Sequence, residues 1–298
     1  MKGYQFEDTQ GTFHLKKAEN ISYLYFPIAG EAGLKSSLTP NLGGDAKIDQ
    51  NTFLLEPVSA ENLVNNRNSR NFWCNVKGIG SWSLTGNAAE ALSKKFTEMQ
   101  DDSEVTAGFM WQKTIRESKK YQLRGEILSF IPVEKNVEVM LVTITNTGRM
   151  AQTVTPTAAI PLYGRSADNI RDHRHVTSLL HRIETTDIGV LVTPTLSFDE
   201  RGHQVNHMTY YCVGWSGNGE KPVDFYPTAE DFVGEGGNFE RPYAIVKKAE
   251  GVKAGTRIEG LEAVGGLHFS EVTLEPEEEC SYLIFTGITE DIQEIRNL

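Results

Sequence analysis

Apolar and polar residues alternate with a period of two through most of this sequence, and the apolar positions are rich in β-branched and aromatic side chains. The runs ISYLYFPI, NTFLLEPV, NFWCNV, TAGFMWQKTI, YQLRGEILSFIP, VEVMLVTITNTG and TVTPTAAIPLYG follow one another through the first half of the chain. DIGVLVTPTL, MTYYCVGW, LHFSEVTLEP and CSYLIFTGI continue the series in the second half. Each reads as a strand, because a pleated strand sends successive side chains to opposite faces. PNLGG, NTGR, DERGH, SGNGE and GEGG supply turn chemistry between them.

Helix signals are few. SAENLVNN and NAAEALSKKF predict one to three turns each. The terminal TEDIQEIRNL has a Thr cap and an acidic first turn, and reads as the start of a helix or linker. No Pro- or Ser-rich linker divides the chain and no repeat of fixed period runs through it. The pattern therefore predicts one all-β unit, a large antiparallel sandwich with a few short helices. Trp73, Trp82, Phe109, Trp111 and Phe130 lie on strand-like segments and are expected in its core.

Composition narrows the class of protein. Over 298 residues the net charge is −11, a balance that repels nucleic acid and anionic lipid. The apolar runs are too short to span a bilayer. MKGYQFEDTQ shows no basic-then-apolar leader, and Cys74, Cys212 and Cys280 are widely spaced and odd in number. A reducing cytoplasm is the expected compartment, without a disulfide framework.

Candidate chemistry concentrates in LYGRSADNIRDHRHVTSLLHRI, residues 162–183, which holds two Asp, four Arg and three His. A metal site is not expected there. His173 and His175 share a strand face, but cationic Arg neighbours oppose a second cation. His203 and His207 in HQVNH lack the Glu of a zinc-protease helix. No Ser or Cys stands in a nucleophile setting, and GEGGNF lacks the Lys of a phosphate loop. Asp168, Asp172 and Glu184 lie beside Arg or His, which depresses a carboxyl pKa and spoils a general acid. Arg forks with Asp and His do suit directional bonds to several sugar hydroxyls. The stretch reads as a strand end, a polar loop over residues 171–175 and a strand from Val176.

Four motifs occur in an order that resembles glycoside hydrolase family 94, the inverting glycoside phosphorylases such as cellobiose, cellodextrin and laminaribiose phosphorylases, formerly glycosyltransferase family 36. They are LYFPIAGEAGLKSSLTPNLGGDAKIDQNTFLLEP, SRNFWCNVKGIGSWSLTG, VTITNTG and YGRSADNIRDHRHVTSLLHR. The resemblance runs from about Tyr23 to about Ile288 and implies a galactose mutarotase-like β-supersandwich as the N-terminal domain. It implies that residues 1–288 form that domain and that residues 289–298 begin a helical linker toward an (α/α)6 barrel. That barrel would carry the catalytic Asp and the phosphate site, and nothing in this sequence matches it.

The family chemistry implied is attack of inorganic phosphate on a β-glucoside while one Asp protonates the leaving oxygen, giving an inverted sugar 1-phosphate. No catalytic residue, metal or cofactor is expected in this chain, and phosphate is a co-substrate of the complete enzyme only. Some relatives carry a polar pair, often Gln-Arg, on a sandwich loop leaning over the barrel mouth. Arg174 and His175 fall at that place, where Arg-His replaces Gln-Arg, and the adjacent His173 is a further candidate. Arg165, Asp168, Arg171 and Asp172 would brace the loop. The implied partners are a β-linked gluco-oligosaccharide, the barrel and a second copy in a homodimer. Two other expectations stand beside this one. One is a free-standing carbohydrate-binding module; the other is an aldose-epimerase-like enzyme using a His such as His175 with a distant Glu.

Overall fold

The computed structural model describes residues 4–21, 24–58, 69–170, 174–199 and 202–298. Alternating runs form antiparallel strands, as period two requires. β1 (Tyr4–Phe6) and β2 (Phe13–Lys16) precede a meander of β3 (Phe26–Ala29), β4 (Lys35–Leu38), β5 (Ala46–Asp49) and β6 (Thr52–Leu55). β7 (Asn71–Val76) and β8 (Gly80–Ser83) lead through helix α1 (Ala89–Ser93) to β9 (Asp102–Gly108), β10 (Trp111–Ser118), β11 (Leu123–Phe130), β12 (Val137–Asn146) and β13 (Gln152–Leu162). A 3-10 turn (Ala167–Ile170) and α2 (Arg174–Ser178) then precede β14 (Arg182–Thr185) and β15 (Gly189–Val192). The hairpin β16 (Leu196–Asp199) and β17 (Gly202–Val205) follows, then β18 (Thr209–Ser216) and β19 (Asp224–Thr228). α3 (Ala229–Val233), α4 (Tyr243–Lys247), β20 (Arg257–Glu259), β21 (Ala263–His268), β22 (Val272–Leu274), β23 (Glu279–Thr289) and α5 (Ile292–Arg296) complete the described strands and α-helices.

Two sheets face each other. The larger has the order β1-β2-β9-β10-β11-β12-β23-β18-β15-β14-β20, and the second runs β19-β21-β13-β7-β8 with β22 also on β13. Met140, Val142 and Ile144 of β12 share one buried core with Val154, Ala158 and Ile160 of β13. β10 and β11 alternate cleanly between buried and half-buried positions, as strands with one buried face do. β13 does not alternate, because α3 and α4 cover its other face. Phe232 and Ile245 pack there on Trp73, Ala159 and Tyr226. On the opposite face of the large sheet, Ile295 of α5 packs with Leu191, Tyr211 and Val213.

The meander is docked by a buried ion pair. Arg70 donates to both carboxylate oxygens of Glu138 at 2.7 and 2.8 Å, and to the carbonyl of Gly44 at 2.7 Å. Ser36 Oγ donates to the same carboxylate at 2.6 Å. β4, the β4–β5 turn and β12 are thus tied through the Arg70–Glu138 pair. Gly44 has φ 114°, and a Cβ there would fall 1.9 Å from the carbonyl oxygen of Ser37, so only glycine fits.

The expected antiparallel sandwich with few short helices is the observed fold, with corrections in detail. TAGFMWQKTI is not one strand but the end of β9, a turn and the start of β10. Met110 takes φ 63° at that turn and leaves Phe109 83% exposed rather than in the core. Gly108 opens the turn, but its two central residues, Phe109 and Met110, are neither Gly nor Asn. Trp73 and Trp82 are buried as expected, while Trp111 and Phe130 are half-buried. α5 is capped by Asp291, which accepts from the amide of Gln293, not by Thr289, whose hydroxyl accepts from the amide of Asp291. SAENLVNN lies outside the described residues. All three thiols are free, with Cys74 and Cys212 buried. Among the described residues no helix is long and apolar enough to cross a membrane.

Candidate functional site

Beyond Leu162 the chain leaves the centre of the second sheet and crosses to the large one. The crossing is pinned first by backbone. The amide of Tyr163 donates to Leu54 O at 2.8 Å, Phe53 N to Arg165 O at 3.0 Å and Ala167 N to Gln50 O at 3.0 Å, so residues 163–167 run beside β6. Gly164 takes φ 59° at the bend, a conformation most side chains resist. The hydroxyl of Ser166 donates to Phe198 O of the β16–β17 hairpin. Sandwich, meander and hairpin therefore meet at residues 163–167.

Arg165 is the centre of this junction and is 2% exposed. Its Nη2 donates to Glu262 Oε2 at 2.6 Å and its Nη1 to Thr177 Oγ1 at 2.9 Å. Its Nε donates to His181 Nε2 at 3.3 Å, and the guanidinium lies 4.8 Å from the centre of the Tyr163 ring. Because Nε2 accepts, the imidazole proton sits on Nδ1 and is donated to Leu261 O at 3.1 Å. Burial, then the charge of Arg165, pushes the His181 pKa down to about 3, so the ring is neutral at physiological pH. A guanidinium fork with this many partners fixes geometry rather than reacting.

The sequence-predicted residues separate into three sets. Arg165 and Asp168 belong to the crossing, Arg165 buried beneath it and Asp168 half-buried on the 3-10 turn. Arg174 and His175 open α2. Arg171, Asp172 and His173 lie outside the described residues. The strand expected from Val176 is instead a helical turn. Leu179 N donates to Val176 O and Leu180 N to Thr177 O, while the Thr177 side chain is spent on Arg165. β-branched Val176 and Thr177 favoured a strand, but a local turn already satisfies their carbonyls. β14 begins only at Arg182.

Glu262 and His181 are functional partners beyond those that the sequence pattern points to. His181 and Thr177 lay within the polar stretch, whereas Glu262 reaches it from the β20–β21 connection with no local signal. No group of three or more His, Cys, Asp or Glu side chains among the described residues can hold a metal ion. His203 of the HQVNH pair packs its ring against Phe198 at 4.3 Å. What the junction does chemically is tie α2, through Thr177, to Glu262 and His181 at one end of the sandwich. Its titratable groups are consumed in doing so.

Comparison with known proteins adds the context. The likeness to solved structures is one of fold alone. A bacterial glucoamylase solved with acarbose aligns with TM-score 0.50 at 8% identity, over 92% of this chain and 34% of that one. An Escherichia coli K12 protein classed as an aldose 1-epimerase aligns with TM-score 0.46 at 9% identity, over 89% of this chain and 99% of that one. No curated protein matches the sequence. Residues 56–298 match the family described as glycosyl hydrolase 94, supersandwich domain. That stretch spans well over half of the chain, and the chain belongs to the glycosyl hydrolase 94 supersandwich domain family.

Proposed function

We propose that this chain is the sandwich domain of an inverting glycoside phosphorylase and supplies acceptor-side contacts and an interface, while an (α/α)6 barrel does the chemistry. The observation that carries the reading is the clamped crossing within a family-94 domain. Arg165, Glu262 and His181 fix its base, and Arg174 and His175 stand on the helical turn above. A rigid scaffold beneath a polar segment is the usual arrangement for ligand contacts from a loop.

The proposed ligand is a β-linked gluco-oligosaccharide, held in part by His173, Arg174 and His175. Asp168, Arg171 and Asp172 would brace the segment beside Arg165. In the complete enzyme, phosphate attacks the anomeric carbon while an Asp of the barrel protonates the leaving oxygen. The residues of this chain orient the acceptor sugar and exclude water from its side of the site. His181 takes no part in proton transfer, since a base titrating at about 3 is too weak to serve near neutrality. A cytoplasmic location and a homodimer belong to the same reading.

The test is phosphorolysis of cellobiose and laminaribiose, measured with this chain alone and with a family-94 barrel supplied. Turnover is expected only when the barrel is present. Robust turnover by the chain alone would place the acid here and end the proposal.

A further inference from the structure

The end of the sandwich away from the candidate crossing also carries a cleft. β13 is 11 residues long, which at about 3.3 Å per residue sets its two ends roughly 33 Å apart. At its start, next to β22, the loops after β18, β21 and β22 enclose a cavity of about 390 Å3. Its floor is apolar and buried, formed by Phe269, Leu274 and Tyr282. Its walls are polar, with Asn218, Glu220 and Glu279 among them. Across Ser216, Gly217 and Ser281 it joins a second groove of about 350 Å3, walled by Trp215, Leu283 and Phe285. Gly217 forms the saddle between them, and a Cβ there would fall 2.1 Å from Ser281 Oγ. A side chain at this position would make the Ser281 hydroxyl rotate away.

The chemistry of the two grooves selects a ligand. Lys77 engages Glu271 at 3.4 Å, and Glu278 accepts from the amide of Glu275 at 2.8 Å. The carboxylates of Glu220 and Glu279 line the cleft and take no hydrogen bond or ion pair from the described residues. These carboxylates do not converge as a metal-holding group. A neutral hydroxylated ligand fits better. Each hydroxyl donates to a carboxylate and accepts from an amide such as that of Asn218, while a sugar ring's C–H face lies against an indole. Trp215 is half-buried at the rim and offers such a face. Each volume is within the range of small-molecule sites.

We infer that the Glu220–Glu279 cleft and the Trp215 groove together form an accessory glycan-binding site for a neutral glucan chain. It is separate from the crossing at residues 163–183 and does not depend on the role proposed for that segment. Such a site would hold a polymeric or oligomeric glucan near the enzyme by its far end. Binding alone is assigned; no bond is made or broken.

Calorimetric titration of the 298-residue chain with cellotriose and with maltotriose tests it, using wild type, the double variant Glu220→Gln/Glu279→Gln, Trp215→Leu and Arg174→Ala. Binding is expected for at least one trisaccharide. It should weaken about tenfold or more in the double variant and in Trp215→Leu, and persist in Arg174→Ala. Glu220 and Glu279 are exposed, so the double variant should keep the wild-type melting temperature. No heat with either sugar overturns the inference. So does binding that survives the double variant but is lost in Arg174→Ala, which would assign the sugar to the crossing instead. Heat with calcium ions and none with sugar would make the carboxylates a cation site and likewise overturn it.

Discussion

Arg165 Nη2 and Glu262 Oε2 lie 2.6 Å apart although 97 residues separate them in the chain. The pair joins the end of β13 to the start of β21 from within the fold. Removing one member of a buried, hydrogen-bonded pair leaves the other without compensation. Arg165→Ala is expected to destabilise the chain by about 3–5 kcal/mol, read from urea unfolding. A loss under about 1 kcal/mol would mean that the junction is not held as described.

His181 makes the same junction sensitive to acid. Its folded-state pKa of about 3 lies below the ordinary value of 6.5, so between those values the unfolded chain binds a proton that the folded one refuses. Its contribution is complete above about pH 6.5 and is lost as pH falls toward about 3. Between pH 6.5 and 5, where ordinary carboxylates bind few protons, wild-type stability should fall and that of His181→Gln should stay flatter. Equal slopes for the two proteins would contradict the buried neutral imidazole.

Gly44 tests how tightly the meander is docked. Gly44→Ala puts a Cβ into the Ser37 carbonyl at a positive φ, and should cost ~2–4 kcal/mol. Hydrogen exchange of the β4 and β5 amides should accelerate in that variant more than that of β12 amides. Uniform acceleration would show instead that meander and sandwich unfold as one unit.

Phe109 and Trp82 give opposite expectations from similar sequence settings. Phe109→Ser, on an exposed turn, should stay within about 0.5 kcal/mol of wild type. Trp82 is buried and donates to Asp101 Oδ2 at 2.9 Å, so Trp82→Ala should cost about 3–5 kcal/mol. Thermal unfolding of both variants checks the contrast.

These cases show what was legible in the sequence. Period-two runs located β7, β11, β12, β13, β18 and β23 to within a residue or two, because strands with a buried face must alternate or, when covered on both sides, stay apolar. The β9–β10 turn escaped because Phe109–Met110 contains neither Gly nor Asn. The polar crossing is visible in the sequence as a cluster of Arg, Asp and His, but the β-branched Val176 and Thr177 point to a strand where the chain forms a helical turn. Its key partner was invisible for a different reason. Glu262 reaches Arg165 only through the pairing of β13 with β21, and no local pattern encodes a contact across 97 residues.

The most direct test of the central claim is acceptor kinetics in the synthetic direction, with sugar 1-phosphate as donor and a family-94 barrel supplied. Arg174→Ala and His175→Ala, measured separately against the wild-type chain, are expected to raise the acceptor KM about tenfold or more while the KM for sugar 1-phosphate stays unchanged. Unchanged acceptor KM in both variants would contradict the proposal that this crossing grips the acceptor.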